Sequence, residues 1–111
     1  MVSIETYREQ IQEILREYST HKPAYGDVEM ELIFDRERDR YQLVCTGWSQ
    51  KRRIYGSLIH IDLKGDKIWI QSDGTEVGIA NLLVDQGIPK QSIVLAYQSP
   101  TLRQFTDFAI G

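Results

Sequence analysis

Ile54-Tyr55-Gly56-Ser57-Leu58-Ile59-His60-Ile61-Asp62-Leu63, followed by Lys64-Gly65-Asp66 and then Lys67-Ile68-Trp69-Ile70-Gln71, is the stretch that decides the fold. Two runs rich in β-branched and aromatic residues, parted by a short loop containing glycine, predict an antiparallel hairpin. The first run is the longest strand candidate in the chain. Upstream, Tyr41 to Trp48 is a similar run, set off by a turn around Ser49-Gln50-Lys51. Further upstream Val28, Met30, Leu32 and Phe34 alternate with Glu29, Glu31 and Ile33, as a half-buried strand requires. The charged turn Asp35 to Asp39 joins that strand to the next. Four strands in an antiparallel meander follow.

The flanks read as helical. Ile4, Tyr7, Ile11, Ile14, Leu15 and Tyr18 recur at helical spacing and form an apolar stripe, with Ser3 as the N-cap. The helix should end near Ser19, ahead of His21-Lys22-Pro23, and Ala24-Tyr25-Gly26-Asp27 reads as a turn. Beyond the sheet, Glu76 to Gln86 places Val77, Ala80, Leu83 and Val84 on one helical face, with Thr75 as cap and Gly87 as stop. Pro89 to Ser92 can start a short helical turn, and Ile93 to Tyr97 suits a buried strand whose sheet partner the sequence leaves open. Ser99 to Gly111 is too apolar to dangle, so it should dock, through Phe105 and Phe108, on the domain or on a partner. The expectation is an α+β fold: N-terminal helix, four-stranded antiparallel meander sheet, second helix, short C-terminal strand and docked tail.

A chain of 111 residues fits a single domain spanning 1–111. Its 41% hydrophobic and 26% charged residues are ordinary for a globular protein and too apolar for a disordered one. A net charge of −3 disfavours non-specific adhesion to nucleic acid, which needs a basic field, and leans towards basic or neutral partners. Cys45 is the only cysteine, so an intramolecular disulfide is excluded and it reads as a buried hydrophobe in a reducing compartment. No apolar run approaches the roughly 20 residues of a spanning helix. The start, Met1-Val2-Ser3-Ile4-Glu5, lacks a basic region followed by an apolar one, so a soluble, cytoplasmic protein is expected, alone or as a small homo-oligomer.

Four constellations can carry chemistry. His60 and Asp62, two apart in a strand, share a face and could form a general-base pair or half a metal site, but no third ligand has supporting spacing; a hydrogen-bonded pair is the alternative. Asp73-Gly74-Thr75-Glu76 precedes a helix, yet its acidic residues favour a capped turn over an anion site. Arg36, Arg38 and Arg40 are interrupted by acids and separated from Lys51, Arg52 and Arg53 by a whole strand, which leaves Lys51-Arg52-Arg53 as the one credible basic patch. Glu5, Glu9, Glu13 and Glu17 form a ridge opposite the apolar stripe, either a solvated face with local pairs Glu5–Arg8 and Glu13–Arg16, or a surface that meets a basic partner. Trp48, Tyr55, Trp69 and Tyr97 read as core or sheet residues. No nucleophile elbow, P-loop or dinucleotide fingerprint is present, so no catalytic residue, metal ligand or cofactor is expected.

Pro23-Ala24-Tyr25-Gly26-Asp27-Val28, Gly47-Trp48, Arg53-Ile54-Tyr55-Gly56, His60-Ile61-Asp62-Leu63-Lys64, Lys67-Ile68-Trp69-Ile70-Gln71, Asp73-Gly74-Thr75-Glu76, Ile88-Pro89-Lys90 and Arg103-Gln104-Phe105-Thr106 resemble the XisI family in order and spacing. The likeness covers nearly the whole chain. It implies a non-enzymatic accessory or regulatory factor for excision of a DNA element, acting with an XisH-like, nuclease-related protein and a site-specific recombinase. Direct DNA binding as an excision factor is the alternative, and a small metal-dependent hydrolase using His60, Asp62 and Asp73 a third. The candidate partner surface is Glu5, Glu9, Glu13 and Glu17 with Phe105 and Phe108.

Overall fold

The computed structural model describes residues 3–21 and 27–111; Lys22 to Gly26, with most of the turn expected at Ala24-Tyr25-Gly26-Asp27, lies outside the described residues. Helix α1 runs Ile4–Tyr18, and the Ser3 side chain accepts the Thr6 N–H at its start. It ends at Ser19, as its spacing requires. A helix of this length is marginal alone in water, so it depends on its buried stripe of Tyr7, Ile11, Ile14 and Leu15.

Strands β1 (Asp27–Asp35), β2 (Arg40–Ser49), β3 (Arg52–Lys64) and β4 (Lys67–Asp73) form the antiparallel meander. Helix α2 (Ile79–Asp85) and a single 3-10 turn (Lys90–Ser92) then lead to β5 (Ile93–Leu95), which pairs in parallel with β4. The sheet is thus five-stranded and mixed, in sequence order. Its inner face carries Tyr41, Leu43, Ile59, Ile61, Ile68 and Ile70, fully buried against Ile11 and Leu15 of α1 and Ile79 and Leu83 of α2. Each such side chain contributes about 1.5–3 kcal/mol by leaving water. Among the described residues no helix is long and apolar enough to cross a membrane.

Two register shifts break the alternation. One lies between β3 and β4, where His60 pairs with Ser72 but Ile61 with Ile70, so Gln71 is an extra residue. The other lies between β2 and β3. Leu43 pairs with Ile59 but Val44 pairs with Ser57, so Leu58 is an extra residue that packs against the core instead of pointing outward with His60. Gly47 faces Val28 across the sheet; a Cβ there would lie 2.0 Å from the Asp27 carbonyl oxygen.

Helix and sheet are joined at Asp39, in the turn between β1 and β2. Its carboxylate accepts from Arg8 Nε at 2.7 Å and Nη2 at 3.0 Å, and from the Tyr41 hydroxyl at 3.0 Å. The Leu63 N–H donates to the Asp39 carbonyl at 3.0 Å. Arg8's guanidinium holds the Asp39 carboxyl below the usual range against the opposing effect of burial, and burial followed by the Asp39 contact pushes Tyr41 up to about 12.

Three expectations need correction. Helix α2 starts at Ile79, not Glu76, because the Asp73 carboxylate gathers the intervening backbone into a loop: it accepts from Thr75 N–H, Thr75 Oγ1 and Ile79 N–H, while Thr75 Oγ1 accepts from Gly78 N–H. Thr75 is therefore no helix cap, and Val77 is 48% exposed instead of on the core face. β5 stops at Leu95 and leaves Tyr97 in a turn, half exposed. In the tail Phe108 packs against the core, but Phe105 is 80% exposed and does not dock.

What fastens the tail instead is Arg103, at the end of the short helix α3 (Pro100–Arg103). Its guanidinium donates to the carbonyls of Leu95, Ala96, Gln98 and Ile110 at 3.0–3.3 Å and lies 5.5 Å from the Trp69 ring centroid. Ala109 then bridges Val94 and donates to the Ile93 carbonyl at 2.8 Å, which covers the β5 edge.

Gly47→Ala should destabilise by about 1–3 kcal/mol, because the new methyl meets backbone that cannot turn aside; denaturant unfolding measures this. Arg103→Ala, which takes the guanidinium from four carbonyls of which Leu95 keeps the Gln98 N–H, should cost on the order of 2 kcal/mol, whereas Phe105→Ala should change stability by less than about 0.5 kcal/mol. Asp39→Asn should lower Tm at pH 7 by on the order of 5 °C. A carboxyl depressed by folding stabilises above its unfolded pKa and ceases to do so as pH falls through its folded pKa, so that Tm gap should close below about pH 4.

Candidate functional site

The side of α1 opposite its apolar stripe presents Glu5, Glu9, Glu13 and Glu17, all exposed. Glu5 is engaged: it accepts from Arg8 at 3.0 Å and from Arg36, and these two contacts hold its carboxyl below the usual range. The expected Glu13–Arg16 pair does not form, because Arg16 donates to Gln12 Oε1 at 3.3 Å and lies 5.3 Å from the Phe34 ring centroid. Among the described residues Glu9, Glu13 and Glu17 have no ion-pair partner, so the last turns of α1 form an acidic face available for association.

That face leads into a groove. The seven residues of α2 span about 10 Å, whereas β1 to β4 are roughly two to four times longer, so α2 leaves part of the inner face without a helix over it. The resulting groove, of about 810 Å³, is floored by Met30, Cys45 and Leu58, and walled by Ile14 and Tyr18 of α1 and Leu82 of α2. Glu17, Glu76 and Asp85 stand around it. Burial pushes the Cys45 thiol up, as for a cysteine on an apolar floor. Sequence reasoning missed this site: Leu58 reaches it through the strand irregularity, and its remaining walls come from four separate elements.

The other candidates resolve locally. His60 Nε2 lies 2.8 Å from Asp62 Oδ1, and the other Asp62 oxygen accepts from Gln71 at 3.2 Å. Arg40 Nε is 3.5 Å from the same Asp62, which is 5% exposed, so the pair is the centre of a four-residue polar cluster on the outer sheet face. Asp73 is occupied by the loop before α2. Among the described residues no three His, Cys, Asp or Glu side chains converge in an arrangement for a metal ion. Lys51, Arg52 and Arg53 are exposed at the β2–β3 turn, at the opposite end of β2 from Arg36 and Arg38. There Arg53 lies over both Trp48, at 5.4 Å, and Tyr55, at 5.8 Å, and these rings are 52% and 71% exposed. They are strand residues but not core residues.

Comparison with known proteins places this architecture. No curated protein matches the chain. Among solved structures, a XisI-like protein from Anabaena variabilis is 38% identical with a TM-score of 0.90, over 98% of this chain and 100% of that one. The fdxN element excision controlling factor XisI from Anabaena variabilis is 35% identical with a TM-score of 0.80, over 95% of this chain and 96% of that one. The family model described as XisI protein matches residues 1–110. The chain belongs to the XisI family.

Proposed function

We propose that this protein is a non-catalytic accessory factor in the control of DNA-element excision, and that it acts by binding a basic, XisH-like protein. Excision control is supported by family membership and by the name of the relative from Anabaena variabilis. Partner binding rests on one observation: an apolar groove edged by Glu17, Glu76 and Asp85 continues into the exposed carboxylates of α1. Such a surface suits a segment with apolar side chains flanked by Lys or Arg, because burial supplies affinity while the carboxylates steer and orient. A site-specific recombinase would be engaged through that partner.

Direct DNA binding is the second reading, favoured by the exposed Lys51-Arg52-Arg53 and the aromatic rings beside Arg53. Against it, the net charge is −3 and the acidic strand β1 lies on the same sheet. Phosphate contacts would be few and strongly weakened at physiological salt.

Reversing Glu9, Glu13 and Glu17 to Lys together should slow association with an XisH-like protein by about tenfold or more at low salt, and flatten its salt dependence. Stopped-flow measurement checks this, and alkylation of Cys45 should be suppressed in the complex. Unchanged association with Cys45 still reactive would remove the ridge and groove from the mechanism. Nanomolar, sequence-specific gel shifts by the protein alone would establish the DNA-binding alternative instead.

A further inference from the structure

Two stretches of sheet edge are bare, and only one of them is guarded by its own charges. Among the described residues no strand lies beyond β1, the first in the sheet order. The other bare stretch is residues 52–57 of β3, on the side away from β2. β4 ends at Asp73, opposite Ile59, and Gly74 makes a last contact by donating to the Leu58 carbonyl at 2.8 Å. The chain then turns back on the Asp73 carboxylate towards α2 and leaves the lane beside residues 52–57 empty. A bare edge offers its N–H and C=O groups to another strand.

Facing residues of an antiparallel pair share a face, so a strand meets its own image only in registers centred on a residue. For β1, every register centred from Glu29 to Ile33 sets one carboxylate of Asp27, Glu29, Glu31 or Asp35 opposite another. Like charges directly opposite destabilise the pair, so this edge repels its copy. The β3 stretch, Arg52-Arg53-Ile54-Tyr55-Gly56-Ser57, carries no carboxylate. A register centred on Arg53 would set that cation on its own image. One centred on Tyr55 would run the second copy's Arg52 into the Leu58 carbonyl, which Gly74 already occupies. The register centred on Ile54 meets neither obstacle.

We infer that residues 52–56 of β3 form a self-association edge, and that its occupant is the same strand of a second copy, antiparallel about Ile54. Arg53 of each copy then lies opposite Tyr55 of the other, and Ile54 faces its own image on the inner side. Arg52 lies opposite Gly56, where a Cβ would meet nothing within 4 Å, so space is available. The Arg53 guanidinium already sits 5.4 Å from the Trp48 ring centroid and 5.8 Å from that of Tyr55. Pairing adds a third ring, from the second copy, to a cation seated on two. The two Arg53 side chains are diagonal neighbours across the axis, and these rings take up their charge. The axis stands perpendicular to the sheet, so the inner faces of both copies, with their grooves, come to one side of a continuous sheet. Five residues a side span about 17 Å, a short contact, so the dimer should be reversible with a Kd on the order of 100 µM.

Sedimentation equilibrium of the full chain from about 10 µM to about 1 mM should show this dimer. Tyr55→Lys, which sets a second cation opposite Arg53, should raise the Kd more than about tenfold. Tyr55→Glu, which offers Arg53 a carboxylate, should keep the Kd within about threefold and make it salt-sensitive. A surface that only gathers exposed rings would lose affinity in both. Adding Arg53→Glu to Tyr55→Lys should bring the dimer back. In a Cys45→Ser chain, Ile54→Cys should cross-link to its image under mild oxidation, whereas Ile33→Cys on β1 should not. Tyr55 is 71% exposed, so its variants should fold, and circular dichroism checks this. A monomer across that range, equal losses in Tyr55→Lys and Tyr55→Glu, or cross-linking no faster at position 54 than at 33 would each overturn the inference. A monomer whose association with an XisH-like protein is weakened by Tyr55→Lys would also overturn it and give the edge to that partner.

Discussion

One carboxylate ties the first helix to the sheet. Asp39 sits in the first hairpin turn with a left-handed backbone, φ 55°, and binds α1 through Arg8, the sheet core through Tyr41 and β3 through its carbonyl. Hydrophobic burial is non-directional and would tolerate α1 at several angles over the sheet. A bidentate guanidinium contact is not so tolerant. The angle it selects lays the apolar stripe of α1 over Tyr41, Leu43 and Ile59 and turns Glu9, Glu13 and Glu17 away from the core. Those carboxylates are then free for association because the helix is fixed by other residues.

The two sides of the sheet are incomplete for different reasons. On the inner side α2 is too short to cover the strands, which leaves an apolar groove with carboxylates around it. On the outer side the tail reaches only β4 and β5, held there by Arg103. A sheet with both faces partly open presents two independent surfaces, one facing the acidic helix and one facing away from it.

Much of the fold was legible because local pattern and global structure agree. The apolar stripe of α1, the four meander strands and their turns all follow from period and turn chemistry acting within a few residues. The errors occur where distant contacts override pattern. Thr75 and Glu76 look like the opening of a helix, but Asp73 captures the N–H of Ile79 six residues on and delays the start. Phe105 looks like an anchor because it is apolar, whereas the tail is held by a charged residue whose role depends on four carbonyls scattered over sixteen positions, Leu95 to Ile110. Trp48 and Tyr55 alternate correctly within strands, yet periodicity does not say which face a helix will cover. The groove was illegible for the same reason: its walls meet only after α1 and α2 have docked.

The parallel pairing of β5 with β4 also orders events in time. The meander joins neighbours through short turns and can form early, whereas β5 must wait for α2 to cross the sheet and bring Ile93, Val94 and Leu95 beside Ile68, Trp69 and Ile70. Until that happens β4 is an open edge flanked by isoleucines, the kind of segment on which nascent chains cross-pair. The tail, by bridging to Val94, holds β5 along its outer edge. Conditions that loosen the tail should be felt first as aggregation during refolding, before any loss of the folded state itself is measurable.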